Sequence, residues 1–506
     1  MTRQVIVFMD LKARLFDVKQ GQNEAVLNSA QAREANIALL DRIQLTANGK
    51  SVTAIADHSD KFIKYGEIGL FGEAAEKLKL KTGQKVRVEP AERPHSLDAI
   101  RKKLDGNILT AAEINGIIDD LMAERLSSAE LAAFVSGVYT RGLSSDETVA
   151  LTKAMYASGG TLKPHAKIVV SEHSIGGVAG DRTAMLLVPI IASLGICIPK
   201  TCSRAISSAA GTADVMEAFC PVALDIKQAQ RVVDDVNAFI IWGGAVNLAA
   251  ADDKLIHIRK PLCLDPKALL LTSILAKKKA EGAEYVLLDL PIGLGAKLEN
   301  LEQARDLAKD FEALGRMLGM RVQCSITDGS EPLLKTIGPN LEARTVLETL
   351  RGGGSSELRD KACVMSGIML AMLRGVSQDE GTRLARQQLQ SGKALQKFLE
   401  IVKAQGGNPR VAPGDFKLGK YKQSVASAKG GRIGHVDNRA ISRACRAAGA
   451  PEDKAAGLVL AVLKGDRVNA GEPLLEVYAN DKAKLARAAK IAEEIVSVER
   501  VVIDVV

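Results

Sequence analysis

Between Val169 and Thr183 the chain reads Val-Val-Ser-Glu-His-Ser-Ile-Gly-Gly-Val-Ala-Gly-Asp-Arg-Thr, an apolar run that breaks into a Ser- and Gly-rich bend and opens an apolar helix at about Arg182. A strand, a glycine loop and a helix start together make an anion site. Glycines let backbone N–H groups approach an oxyanion, and the helix start adds unpaired amides and the positive end of its dipole. Phosphate or a phosphoester is the natural guest. The spacing is neither G-x-x-x-x-G-K-[ST] nor G-x-G-x-x-G, so the usual ATPase and dinucleotide readings find no support in it. A second loop, Thr201 to Asp214, clusters hydroxyls with one Arg and a Gly-Thr pair. Ser/Gly bends without ligands are common at strand ends, so the pairing of the two loops is the informative feature. It points to a substrate and a co-substrate, or to two phosphates.

These loops need a scaffold of strands and helices. From Lys167 to roughly Gly338, strand-like runs (Ile168–Ser171, Phe239–Trp242, Tyr285–Asp289, Arg321–Ile326) alternate with helix-length amphipathic stretches, the pattern of a sheet covered by helices. Active sites in such sheets sit in loops at strand ends, where both loops fall. Residues 1–92 alternate in short runs (Val5–Leu11, Gln44–Ala47, Lys85–Val88) separated by Asn48-Gly49 and Gly83-Gln84 turns, and read as a β-rich domain. Glu89 to Pro94 is a stiff connection. From Ser96 to about Ala157 the period changes to 3.6, with Ser127 or Ser128 before Glu130 and Ser145 before Glu147 as helix starts. After about Gly419 short strands return, with Lys464–Tyr478 as the clearest hairpin, then a helix and the apolar run Val501–Val506. The expected fold class is a multidomain α/β protein. Its parts are a β-barrel-like domain over 1–92, a helical domain over 93–166 completed by a later helical segment, a mixed α/β domain over 167–420 and an α+β domain over 421–506.

At 506 residues the chain exceeds what one hydrophobic core usually organises. A hydrophobic fraction of 47% with 25% charged residues is that of a globular protein, and only 3% aromatic residues argues against base-stacking platforms for nucleic acid. The net charge of +8 is spread along the chain without a polyanion-binding block, which fits small anionic substrates better than nucleic acid. Seven cysteines show no C-x-x-C and no zinc-ligand spacing, which favours reduced thiols and a cytoplasmic location. No membrane span and no signal peptide is expected.

Several residues have ordinary readings when taken singly. Asp265-Pro266 suits a helix cap, His173 a hydrogen-bonded structural histidine, Asp252-Asp253 a solvated helix start and Lys277–Lys279 an exposed helix face. Their setting changes this. His173-Ser-Ile-Gly-Gly-Val-Ala-Gly-Asp, Ile198 through Asp214, Trp242 through Asp253, Ser273-Ile-Leu-Ala-Lys-Lys-Lys279 and Gly338-Pro-Asn-Leu-Glu-Ala-Arg344 together resemble the thymidine phosphorylase family, and within it the AMP phosphorylase branch. The resemblance covers nearly the whole chain. It implies a helical and an α/β domain flanking a cleft that closes, an added N-terminal barrel-like domain, and at least a homodimer. It also implies that a nucleoside 5′-monophosphate and orthophosphate give a free base and ribose 1,5-bisphosphate, with no cofactor and no metal. By position, nucleotide contacts fall on Gly177, Ser203, Arg204, Ala205, Ile206, Ser207, Ser208, Thr212, Ser273 and Lys297, phosphate contacts on His173 and Ser174, and the proton donor on Asp265. Arg204 is expected to grip a 5′-phosphate bidentately.

One position departs from the family. Asp-Lys-His-Ser is usual where this chain has Ser171-Glu-His-Ser174, so Glu172 replaces an expected phosphate-binding lysine. A poorly solvated acid facing phosphate repels it by roughly several kcal/mol, unless the acid turns away or is paired. Three other functions share the same residues. One is a pyrimidine nucleoside (thymidine or uridine) phosphorylase. Another is a phosphoribosyltransferase with Asp252 and Asp253 on Mg²⁺. The third is a non-catalytic nucleotide-binding protein with the N-terminal domain as docking module.

Overall fold

The computed structural model describes residues 8–205, 208–262 and 264–499. Its contacts divide the chain into two units: 1–158 with 249–273, and 159–248 with 274–506. In the first unit, six strands close into a barrel in the order Met9–Leu15, Glu67–Leu70, Glu24–Asn28, Lys50–Ser59, Arg42–Ala47, Lys85–Pro90. Alternation explains its interior, since Leu11, Ala13, Leu27, Ile43, Leu45, Ala54, Ala56, Val86 and Val88 are all buried. Asn48 (φ 51°) and Gly49 (φ 71°) form the expected tight turn, with Ala47 opposite Lys50. The first strand is Met9–Leu15 rather than Val5–Leu11, and Val5 to Val7 lie outside the described residues.

Helices Ser96–Leu104, Ala111–Met122, Ser128–Arg141 and Ser145–Ala157 follow, three of them opened by capping boxes on Thr110, Ser127 and Ser144. The cap expected at Ser145 is therefore one residue earlier, because the Ser144 hydroxyl is the one that reaches the Glu147 N–H. Residues 249–273, within the span assigned from sequence to the α/β domain, return to this first unit with helix Ala250–Arg259 and the first half of helix Lys267–Ala280. The N-terminal segment and the helices are tied by Glu124, which binds Lys77 of helix Gly72–Leu78 and Lys254 at 2.9 Å, and by Arg42 of the barrel on Glu130. Two lysines hold the Glu124 carboxyl down at about 2 against its burial.

The second unit is built on parallel strands. Arg321–Asp328, Tyr285–Ile292 and Val170–Ser174 form one sheet, Ile198–Cys202 and Ala238–Trp242 a second, and a bridge from Val169 to Cys197 connects them. Ala238–Trp242 and Tyr285–Ile292 are near-continuous apolar, buried runs, as expected of parallel strands covered on both faces. Strand Val170–Ser174 starts two residues later than expected and carries Glu172, His173 and Ser174 at its end. The C-terminal segment adds antiparallel sheets, and its Ile433, Ile441, Leu458, Val477 and Val496 join the same apolar core as Val170, Ile190 and Ile240.

The expected Lys464–Tyr478 hairpin does not form. Arg467–Val468 pairs with Gly431–Val436, whereas Pro473–Ala479 pairs with Tyr421–Ala426 and Gly457–Leu460. The turn at Asn469–Glu472 is present, but partners from elsewhere in the chain take its two arms into different sheets. The six described cysteines are free. Burial pushes the thiols of Cys197, Cys202, Cys220 and Cys324 up to about 12, so they are packing groups rather than nucleophiles. Among the described residues no helix is long and apolar enough to cross a membrane.

Candidate active site

The strand Val170–Ser174 runs into the glycine loop, and helix Thr183–Ser193 leaves it with Arg182 at its N-cap. Gly176, Gly177 and Gly180 all have positive φ, at 82°, 101° and 71°. At Gly177 the reason is a close approach: a Cβ there would lie 2.9 Å from the Lys297 backbone nitrogen and 3.0 Å from Ala296 Cα. The loop thus brings two of the expected nucleotide residues, Gly177 and Lys297, into backbone contact. Gly176 has open space where its Cβ would be. Gly176→Ala is therefore expected to lose only the roughly 1–2 kcal/mol of a left-handed side chain, and Gly177→Ala clearly more. Equal melting temperatures for the two variants would contradict this packing.

The second loop follows strand Ile198–Cys202 and is pinned by a single carboxylate. Asp214 Oδ2 accepts the N–H of Ala205 at 2.7 Å and of Gly211 at 2.8 Å, which fastens both ends of the loop. Gly211 admits no side chain, since a Cβ would meet the Ser203 carbonyl oxygen at 2.4 Å. Ser208 donates to the Ala210 carbonyl at 3.1 Å. Ile206 and Ser207 lie outside the described residues.

Arg204 is placed differently from the expectation. Its guanidinium donates to Asp214 at 3.1 Å and to both Glu217 oxygens at 3.0 and 2.5 Å, and lies 5.1 Å from the Trp242 ring centroid. The bidentate grip expected for a 5′-phosphate is closed on Glu217. Arg204 and Lys454 hold the Glu217 carboxyl down at about 2, so the arginine braces the loop with its charge already matched.

Arg182, which the sequence marked only as a helix start, joins the two loops. It donates to the Thr212 hydroxyl at 3.0 Å and the Ala210 carbonyl at 2.8 Å, and its Nε pairs with the fully buried Glu342. Glu342 in turn accepts the Gly338 N–H at 2.9 Å. Charge pairing in burial requires such complete hydrogen bonding.

Beneath His173 and Ser174 lies a buried cluster of four charges. Lys200 Nζ is 3.0 Å from Glu172 Oε2 and donates to the Glu172 carbonyl at 2.7 Å. Lys278 donates to Glu281 at 2.8 and 3.1 Å, and Glu281 also accepts from Ser171 at 2.6 Å and from the Thr201 hydroxyl. All four charged side chains are at most 6% exposed. Lys278 is therefore not on an exposed face, although its sequence neighbours Lys277 and Lys279 are partly exposed. Burial works against the Lys200 ammonium, but Glu172 outweighs it and raises its pKa above the ordinary lysine value. Burial, reinforced by Lys200, Lys278, Lys297 and Lys277, holds His173 well below the usual imidazole range, so it is a neutral ring among cations at pH 7.

The first unit positions the remaining expected residues. Ser273 donates to Asp252 Oδ2 at 2.6 Å, with both side chains buried, so Asp252 is not a solvated helix-start acid. Asp265 precedes helix Lys267–Ala280, whose first turn is closed by the Leu270 N–H on the Pro266 carbonyl at 3.0 Å. Its carboxylate accepts from Arg259 at 3.0 Å and remains 47% exposed, whereas Arg259 is 11% exposed. Among the described residues no three or more His, Cys, Asp or Glu side chains gather to hold a metal ion.

Comparison with known proteins decides the family. Residues 97–159 match the helical bundle domain of a glycosyl transferase family and residues 166–395 its a/b domain, while 432–499 match a pyrimidine nucleoside phosphorylase C-terminal domain. An AMP phosphorylase of Methanococcoides burtonii is 41% identical over 487 residues, 96% of each chain. One of Pyrococcus abyssi is 43% identical over 500 residues, 98% of this chain and 99% of that one. The chain belongs to the thymidine phosphorylase family, in its AMP phosphorylase branch. Anthranilate phosphoribosyltransferase from Thermus thermophilus shares the fold at 21% identity, with a TM-score of 0.51 over 61% of this chain and 99% of that one. The family segment Gly338–Arg344 has a physical reason here, since it supplies Glu342 to Arg182 and so reaches both loops. Lys200 pairs Glu172 within the cluster.

Proposed function

We propose that this member of the AMP phosphorylase branch cleaves the N-glycosidic bond of nucleoside 5′-monophosphates, AMP with CMP and UMP as further substrates, using orthophosphate. The observation that carries this reading is identity of about 40% along nearly the whole chain to proteins named AMP phosphorylase. In the proposed reaction a phosphate oxygen forms the new bond to C1′ as the C1′–N bond breaks. The electron pair stays on the base nitrogen, which takes its proton from Asp265, and ribose 1,5-bisphosphate leaves with the free base. Positive charge develops at C1′ in this step, so an anionic nucleophile is itself stabilising.

His173 and Ser174 receive orthophosphate, and Gly177, Ser203, Ala205 to Ser208, Thr212, Ser273 and Lys297 receive the nucleotide, while Arg204 braces their loop through Asp214 and Glu217. A loop with three glycines at positive φ and a neutral His173 among lysines support an anionic guest. Pairing of Glu172 with Lys200 supports phosphate as acceptor, because the acid's charge is balanced inside the cluster. We further assign a cytoplasmic homodimer or larger homo-oligomer without cofactor, acting on small molecules rather than nucleic acid.

The match of residues 432–499 to a pyrimidine nucleoside phosphorylase C-terminal domain favours a second reading, phosphorolysis of thymidine or uridine. Phosphorus NMR of the products separates the two. AMP and phosphate are expected to give one species carrying both an anomeric and a 5-phosphate; an anomeric phosphate formed from uridine alone selects the second reading.

A further inference from the structure

Lys361 has no place in the reaction as assigned, yet its ammonium reaches both ends of the glycine loop. It stands on helix Ser356–Arg374, 12% exposed, with Nζ 2.9 Å from Asp181 Oδ2 and 2.8 Å from Asp289 Oδ2. Asp181 closes the loop at its helix side, where its other oxygen accepts the Thr183 N–H at 3.1 Å and hydroxyl at 2.6 Å. Asp289, 1% exposed, lies opposite Ser174 in the paired strands, and its carbonyl accepts the Ile175 N–H at 3.1 Å at the strand side of the loop. Thr327 donates to the remaining Asp289 oxygen at 2.6 Å. One cation therefore spans the mouth of the loop that begins at Ser174 and ends at Asp181.

We infer that Lys361 is a positioning residue for orthophosphate: by bridging Asp181 and Asp289 it fixes the span of the Ser174–Asp181 loop and so the aim of its N–H groups. It also balances charge. Without it the carboxyls of Asp181 and Asp289 lose the ammonium that both contact, and the charge they keep repels an incoming anion. An anion held by several N–H groups depends on their common aim, because each hydrogen bond weakens as its distance and angle depart from the ideal. The inference rests on the phosphorolysis reading for the identity of the anion, and its test separates the two.

The experiment compares wild type, Lys361→Met, Lys361→Arg and Asp181→Asn in the full chain, measuring inorganic phosphate affinity by calorimetry alongside steady-state kinetics. Lys361→Met is expected to weaken phosphate at least about tenfold in both Kd and KM, with kcat at saturating phosphate and the AMP KM within about threefold. Lys361→Arg restores most of the affinity. Asp181→Asn keeps the Lys361–Asp289 pair and the Thr183 contact, so it folds if Lys361→Met does not, and it weakens phosphate by cutting the helix-side tie. Unchanged phosphate affinity in Lys361→Met or Asp181→Asn overturns the inference, as does a Lys361→Arg variant no better than Met. Wild type that binds phosphate but releases no base sinks the phosphorolysis reading alone, because the affinity comparison still decides the role of Lys361. Wild type that binds no phosphate overturns both.

Discussion

Asp265→Asn is expected to lower turnover of AMP by about 100-fold or more while leaving nucleotide affinity within about threefold. The amide keeps the size of the carboxyl and still offers an oxygen to Arg259, whose guanidinium contacts Asp265 at 3.0 Å. What it lacks is a proton that a departing base can take. The loss therefore belongs to the step in which the C1′–N bond breaks, and it appears in kcat and kcat/KM together. A substrate whose leaving group departs without protonation should lose most of the difference between wild type and Asp265→Asn. Unchanged turnover of AMP would remove Asp265 from the mechanism. A fall confined to the AMP KM would make it a binding residue.

The second large effect concerns Glu172, where the sequence resemblance leads us to expect a lysine. Glu172→Ala leaves the Lys200 ammonium buried beside Lys278 with Glu281 as the one remaining acid of the cluster. Removing one partner of a buried pair costs about 3–5 kcal/mol, so a marked fall in melting temperature is expected. Glu172→Lys is expected to be at least as damaging because it places a third cation in the same burial. The double variant Glu172→Lys, Lys200→Glu reverses the pair and should recover much of the stability. The pH dependence has a definite sign. The pKa of Lys200 is raised in the folded chain, so the pair contributes fully below the ordinary lysine value of ~10.4, and that contribution is lost as pH rises from there through the folded value. A Glu172→Lys variant as stable as wild type with tighter phosphate binding would contradict the paired-acid account.

What the sequence made legible is what short-range chemistry encodes. The glycine spacing and the helix start at Arg182 foretold the first loop, and alternation foretold the barrel strands. Asn48-Gly49 foretold their tight turn, because positive φ is a property of single residues. Long-range partners were not legible. Arg182 finds Glu342 at a separation of 160 residues and Lys361 finds Asp181 at 180, and neither acid carries a local sign of its role. Arg204 was misread for the same reason. A lone arginine among serines looks like an anion grip until the helix after the loop brings Asp214 and Glu217 to it. The triplet Lys277–Lys279 shows the limit of periodicity, since three adjacent residues cannot share one helix face and the middle one, Lys278, turns into the core. The false hairpin at Lys464–Tyr478 had the right turn but could not reveal that other strands compete for both arms.

The most direct test of phosphorolysis is base release from AMP, CMP, UMP and GMP and from their nucleosides, followed with and without orthophosphate. The account predicts adenine release from AMP that requires phosphate and yields ribose 1,5-bisphosphate in equal amount. Release from nucleosides alone, release that proceeds equally without phosphate, or none from any substrate would contradict it.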